Sequence, residues 1–325
     1  MITISGCEKE IKMDIPENER KLVVNGVFTI GEGIGFDVSK SRGFLENGNF
    51  ETVDNAEIKL FEDNVFIKNP ERRTYYYYTY PNNDNSIRDS VYNCYYRFPN
   101  FSFSKDKTYK MEISVPGIDK MASVEFRIPT LVPFIKLDTM SYFFDGNSIN
   151  LQFDLQINDP PNEENFYVLN ISTKEEVWLK KETGEYYIIR NRGQVDIESN
   201  NLQINTNTNN YINTERLIFT DRLFDGKLKN IILKTKNDSP SSHVSMKGYT
   251  YATDTSKYQI ILRSISKDYY NYLVTIDLYN STNGNPIAEP IGVKSNVKNG
   301  LGIVAAVNQW VDSSIVLTNL LIQKK

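Results

Sequence analysis

Chemistry-bearing residues are scarce in this chain. Among its 325 residues there is one histidine, His243, and there are two cysteines, Cys7 and Cys94. Ser-His-Asp or Cys-His catalysis would have to run through His243, as would any zinc site with a histidine ligand. That residue sits in the polar stretch Ser239-Pro240-Ser241-Ser242-His243, which reads as loop. Cys94 falls in the alternating run Val91-Tyr92-Asn93-Cys94-Tyr95-Tyr96, where a buried small apolar residue is expected. No stretch of about 18 apolar residues occurs, so no helix is expected to span a bilayer. A glycine-rich phosphate loop and a metal-spaced ligand set are missing as well. The 37 Lys and Arg against 41 Asp and Glu leave a net charge of −4, and the cations are scattered, which excludes the basic face that nucleic acid needs. No cofactor, metal or nucleic-acid partner is expected from these counts.

What is present is a period of two. From Ser148 to Asn158, Ile149, Leu151, Phe153, Leu155 and Ile157 alternate with Asn150, Gln152, Asp154 and Gln156, the pattern of a strand with one buried and one wet face. Similar segments lie at Lys21–Ile30, Gly35–Ser41, Ala56–Glu62, Thr74–Tyr80, Val91–Phe98, Thr108–Val115 and Ser123–Ile128, separated by Gly, Pro, Asn and Asp. This density of short strands predicts an antiparallel sandwich resembling immunoglobulin or transthyretin folds. Pro129-Thr130-Leu131-Val132-Pro133 interrupts the ladder, because proline cannot donate to it and forces its predecessor away from the helical region. A domain boundary is placed there, with strand periodicity restarting at Ser148.

Beyond the boundary, strands are expected at Asn165–Ser172, Glu185–Arg190, Arg216–Thr220, Leu228–Lys234, Lys257–Ser264, Ile291–Val297, Gly302–Val307 and Ser314–Asn319. Asn200–Thr214, rich in Asn and Thr, reads as a long loop or hairpin tip. One segment follows a helical spacing. After Ser266 as N-cap, Tyr269, Leu273, Ile276 and Asn280 recur at three and four, which predicts a helix over Lys267–Asn280. The expected fold is all-β: residues 19–131 form the sandwich, and residues 132–325 form a larger antiparallel β domain with one short helix.

The first residues carry a different signal. Ile4-Ser5-Gly6-Cys7 is a lipobox-like tetrapeptide, followed by the charged run Glu8-Lys9-Glu10. Cleavage before Cys7 and acylation of its thiol would hang the protein from a membrane, each buried methylene adding about 0.8 kcal/mol. Residues 1–18 then serve as anchor and tether. Six residues before the cysteine are fewer than a basic start and an apolar stretch require, so the native leader is expected to extend upstream.

Several blocks, taken in order, match a known pattern. They are Lys21-Leu22-Val23-Val24-Asn25-Gly26, Ala56-Glu57-Ile58-Lys59-Leu60-Phe61-Glu62-Asp63, Phe219-Thr220-Asp221-Arg222-Leu223-Phe224-Asp225-Gly226-Lys227, Asn285-Pro286-Ile287-Ala288-Glu289-Pro290, and Ser295-Asn296-Val297-Lys298-Asn299-Gly300-Leu301-Gly302-Ile303. Together they resemble the uncharacterised Bacteroidota lipoprotein family known as domain of unknown function 4249. The resemblance implies a lipid anchor at Cys7, an N-terminal sandwich, a larger C-terminal β domain, and association with outer-membrane TonB-dependent transporters. It carries over no catalytic residue. Glu8-Lys9-Glu10 resembles the acidic signal that sends such lipoproteins to the cell surface. Within the matched blocks, Gly226, Gly300 and Gly302 read as turn or close-approach glycines, and Asp221 and Asp225 as turn braces. Asp221 and Asp225 lack the alternate-position spacing of a calcium loop.

The tyrosines are the remaining candidates for function. Tyr75, Tyr76, Tyr77, Tyr78, Tyr80, Tyr92, Tyr95 and Tyr96 cannot all face one core, because a strand alternates its faces. They form the candidate interaction surface, since aromatic rings supply contact area at low entropy cost. The leading expectation is a non-enzymatic outer-membrane surface lipoprotein that binds a ligand or caps a TonB-dependent transporter. A carboxylate-dependent glycan- or peptide-processing enzyme and an adhesin or structural surface module are the alternatives; the first needs two acids roughly 5–10 Å apart in a cleft.

Overall fold

The computed structural model describes residues 19–32, 34–43, 50–79, 89–131, 134–145, 148–199, 215–236, 247–282, 289 and 291–318. Cys7, Tyr80, His243 and the Asn200–Thr214 segment lie outside the described residues, as do the side chains of Tyr77 and Tyr78.

Alternation builds the first half. In β7 (Thr108–Ser114), Tyr109, Met111 and Ile113 are fully buried while their neighbours are half-exposed. β8 (Ala122–Arg127) buries Ala122, Val124 and Phe126 in the same way, and β3 (Glu57–Glu62) buries Ile58 and Leu60. These three strands and the short β4 (Val65–Lys68) make a four-stranded sheet in the order β4-β3-β7-β8. Asp63 and Asn64 close the β3–β4 hairpin at positive φ, 49° and 67°, which suits Asp and Asn in a two-residue turn.

The opposing layer holds β1 (Leu22–Thr29), β2 (Ile34–Lys40), β5 (Glu71–Thr79) and β6 (Asp89–Phe98) in the order β5-β6-β2-β1. The layers meet on an aromatic core. Phe28, Phe103, Tyr109 and Phe126 pack with centroids 4.6–5.7 Å apart, and Phe36 stacks between Tyr96 and Phe98. Each such buried ring or aliphatic side chain contributes about 1.5–3 kcal/mol relative to exposure.

The layer does not end at β1. β16 (Gly300–Thr318) runs parallel to β1 with Leu22 opposite Gly300 and Thr29 opposite Val307, and its Val304 and Ala306 enter the sandwich core. Gly302 is required here: its φ is +102°, and a Cβ would run into the Val24 carbonyl and sit 2.7 Å from Asn25 Oδ1. The remaining pairings are antiparallel. Past Val307 the same strand pairs with β15 (Tyr249–Ile265), and Ile315 joins a second core.

β15 continues the sheet to β11 (Phe166–Lys181), then β12 (Tyr186–Ser199), β14 (Leu228–Lys236), β10 (Ser148–Asn158) and β9 (Phe134–Asp145); β13 (Leu217–Thr220) pairs with β11. The sheet closes on its own apolar face. Leu151, Phe153 and Leu155 of β10 share one core with Leu169 and Ile171 of β11 and with Ile260 and Leu262 of β15. On the opposite face of β11 and β15 lies α1 (Lys267–Thr282), which buries Tyr270 and Leu273 against Phe166, Val168, Ile218, Ile265 and Val307. The helix starts where expected: Ser266 Oγ accepts the Tyr269 N–H at 3.2 Å. No helix among the described residues is long and apolar enough to cross a membrane.

Three expectations need correction. Periodicity does not wait for Ser148 to restart, because β9 occupies Phe134–Asp145; a register shift between Asp154 and Leu155, where β9 pairs with β10, displaces its alternation. Ile291–Val297 is not a strand. Asn296 holds that segment with its side chain instead, donating to the Val304 carbonyl at 2.7 Å and accepting the Val304 N–H at 3.0 Å. Gly302–Val307 and Ser314–Asn319 are parts of the single strand β16, and β4 went unforeseen.

Candidate functional site

The tyrosine strip lies at one end of the twelve-stranded sheet, where β5 is the edge strand. Register divides it between two faces. Tyr76 stands opposite Tyr92, on the side of β6 that also carries Cys94, Tyr96 and Phe98. Cys94 and Tyr96 are buried there, but Tyr76 and Tyr92 project past the core and are 66% and 38% exposed, with centroids 5.5 Å apart. Tyr75 and Tyr95 form a second pair on the outer face at 5.9 Å. Tyr92 donates from its hydroxyl to Asp54 at 3.0 Å, and Asn93 donates to the Tyr75 hydroxyl at 2.9 Å. Rings and hydroxyls together give this edge an apolar body with polar tips.

Tyr96 does not belong to this surface. It is 3% exposed; its hydroxyl donates to the Val53 carbonyl and accepts from Ala56 N–H, both at 3.0 Å. Alternation from Tyr92 through Cys94 carries it into the sandwich, so it is a core residue with a satisfied polar tip. Cys94 is fully buried, and burial pushes its thiol up.

The acidic turn joins Asp159, Asp221 and Asp225, whose carboxylate oxygens lie within 4.8 Å of one another. Each accepts backbone. Asp159 takes the Gly226 N–H at 3.1 Å, Asp221 the Asn165 N–H at 2.8 Å and Asp225 the Asn162 N–H at 3.0 Å. Asp159 also accepts the Tyr167 hydroxyl at 2.5 Å. These bonds tie the loop after β10 to the turn after β13, with Gly226 at φ +65° against Pro161. The group braces a turn. Asp159 was not singled out from sequence, because it lies more than sixty positions before Gly226, whose N–H it holds.

A cleft of about 570 Å³ opens where the sandwich meets α1. Glu125 and Arg127 line it from β8, Glu163 and Glu164 from the loop before β11, and Lys267 and Asp268 from the first turn of the helix. Lys267 donates to Glu164 at 2.9 Å and, with help from Arg222, holds that carboxyl below its ordinary range. Glu164 is therefore ionised at neutral pH and is no proton donor. Arg127 donates to Thr108 Oγ1 at 2.8 Å. None of these residues was a candidate from sequence, since the cleft is assembled from five distant segments, 108, 125–130, 163–166, 264–268 and 296.

Fold and surface define a class: an all-β protein with two cores on one continuous sheet, a single helix among the described residues, and an aromatic edge. The particular family follows from comparison. The sequence profile of the family described as Domain of unknown function (DUF4249) matches residues 8–311, and the chain belongs to that family. No curated protein matches the chain.

Proposed function

We propose that this protein is a Bacteroidota outer-membrane lipoprotein, anchored through Cys7 and facing the cell exterior, that works by binding and docks onto a TonB-dependent transporter. The observation that carries the docking surface is the pair of aromatic couples, exposed Tyr76 with Tyr92 and exposed Tyr75 with half-buried Tyr95, on the two faces of the sheet at its edge strand. Interfaces favour such rings, and an edge strand offers unpaired backbone groups to a β-rich partner. Supporting the anchor is Ile4-Ser5-Gly6-Cys7; supporting a non-enzymatic role is the single histidine.

The test uses the full chain with its native leader, extracted from native membranes in gentle detergent and analysed by mass spectrometry. The transporter should co-purify with the wild type and fall by roughly tenfold or more for Tyr76→Ser combined with Tyr92→Ser, a loss of about 1.4 kcal/mol. Cys7→Ala should move the protein to the soluble fraction. Unchanged co-purification removes the tyrosine edge from the proposal, and a Cys7→Ala protein that stays on the membrane removes the anchor.

A further inference from the structure

A second cavity, of about 360 Å³, lies between α1 and the sheet face made by β1, β11 and β15. Two arginines line it. Arg263 stands opposite Val168 on the helix-covered face of β15, and its Nη1 donates to Asn170 Oδ1 at 2.6 Å. Asn170 is itself oriented by donating to Gln194 Oε1 at 3.0 Å. The only hydrogen-bond acceptor of this guanidinium among the described residues is thus a neutral amide. Glu32 acts on Arg263 from a distance and is engaged with Gln309 Nε2 at 3.1 Å. Burial works against the Arg263 charge.

Arg216 approaches from the segment before β13. Its Nη2 meets Asp277 Oδ1 of α1 at 2.5 Å, while its Nε is buried with no hydrogen-bond partner among the described residues. Tyr269 of α1 completes the wall. Tyr269 is half-buried, and it lies close enough to both guanidinium groups for their charges to act on its hydroxyl. Buried donors are nearly always satisfied, and a guanidinium presents its donors as a rigid fork that fits a carboxylate. Arg263, Arg216 and Tyr269 line this one cavity together with the carboxylate of Glu215, while Asp277 pairs with Arg216 from α1.

We propose that this cavity binds a small organic monoanion, whose carboxylate accepts from Arg263, Arg216 and Tyr269. Arg263, whose hydrogen-bond acceptor is the neutral Asn170 amide, is the cation such a carboxylate would meet. Val27, Val168 and Leu273 supply apolar walls, so the ligand carries a short hydrocarbon tail, and the volume sits at the small end of ligand pockets. This site goes beyond transporter docking and lies on different elements from the tyrosine edge, so either reading can fail alone.

The purified full chain is titrated with butyrate and valerate, against 1-butanol and against sodium chloride at matched ionic strength, with melting temperature and calorimetry as readouts. Both carboxylates should raise the melting temperature saturably by roughly 2–5 °C, and neither control should. Tyr269→Phe, which keeps the ring, should weaken binding by about tenfold, and Arg263→Gln should abolish it. No shift beyond the salt control overturns the site, as does equal binding by wild type and Tyr269→Phe. Inorganic phosphate binding as tightly as valerate would overturn the monoanion assignment. The wild-type titration and the Tyr269→Phe comparison stand even if Arg263→Gln does not fold.

Discussion

Single residues in this protein are read correctly only once their neighbours are known. Cys94 was legible, because an alternating strand puts it on the core side with Tyr96. Tyr96 was not, since a run of tyrosines hides which ring the second sheet covers. Arg263 follows Leu262 on a strand whose wet face also carries Lys257 and Gln259, so in sequence it looks like an ordinary exposed cation. Only the helix lying over that face makes it unusual. Asp159 shows how burial sets a charge: desolvation pushes its carboxyl up from 3.8, against the hydrogen bonds from Tyr167 and Gly226 that pull it down. A raised folded value means the folded state holds the proton more tightly, so Asp159 adds stability below the ordinary carboxyl pKa and loses that contribution as pH rises through its folded value. The melting temperature of the wild type minus that of Asp159→Asn should therefore fall as pH rises from below the ordinary carboxyl pKa through the raised folded value, and then level off. A difference that is flat or rising across that range contradicts this account.

At the scale of elements, period-two strands were visible wherever one face is buried and the other wet. The misses have particular causes. β9 is out of phase because it carries an extra residue, Asp138, where consecutive Asp154 and Leu155 of β10 pair with Thr139 and Leu137, and Ile291–Val297 is apolar enough to mimic a strand although Asn296 side-chain bonds replace the ladder. Helix α1 was recoverable despite Val274-Thr275-Ile276, because Ser266 caps it, but of the expected stripe only Leu273 is buried, Tyr270 takes the place of Tyr269 and Asn280 is exposed; Thr275 satisfies its hydroxyl on the Asn271 carbonyl at 2.8 Å. Parallel pairing of β1 with β16 had no local signature. Its tightest point is Gly302, which sits at a φ of +102° with the Val24 carbonyl in the way of any side chain. Gly302→Ala should lower unfolding free energy by about 2–4 kcal/mol, read as a fall in urea midpoint with little change in slope. An unchanged midpoint would mean that the two strands separate there at no cost.

The whole molecule is tied together by β16, which gives Val304 and Ala306 to the first core and Ile315 to the second. No periodicity in residues 19–131 announces that their sandwich borrows a strand from residues 300–307. The cleft and the arginine cavity were equally illegible, because each draws on segments that only this long-range pairing and the α1 contacts bring together. A chain ending at Asn299 should lose cooperative melting in both halves, followed by circular dichroism, and adding the 300–325 peptide in excess should restore part of it. A truncated chain whose N-terminal half still melts cooperatively would show the sandwich to be self-sufficient. The same pairing has a consequence for biosynthesis. Ile303 N–H is held by the Asn25 side chain across 278 positions of sequence, so one side of β1 stays unpaired until β16 has been synthesised. Such contact order slows folding and leaves the chain open throughout synthesis. For the exported lipoprotein proposed above, that open state is the one a translocation pore would receive.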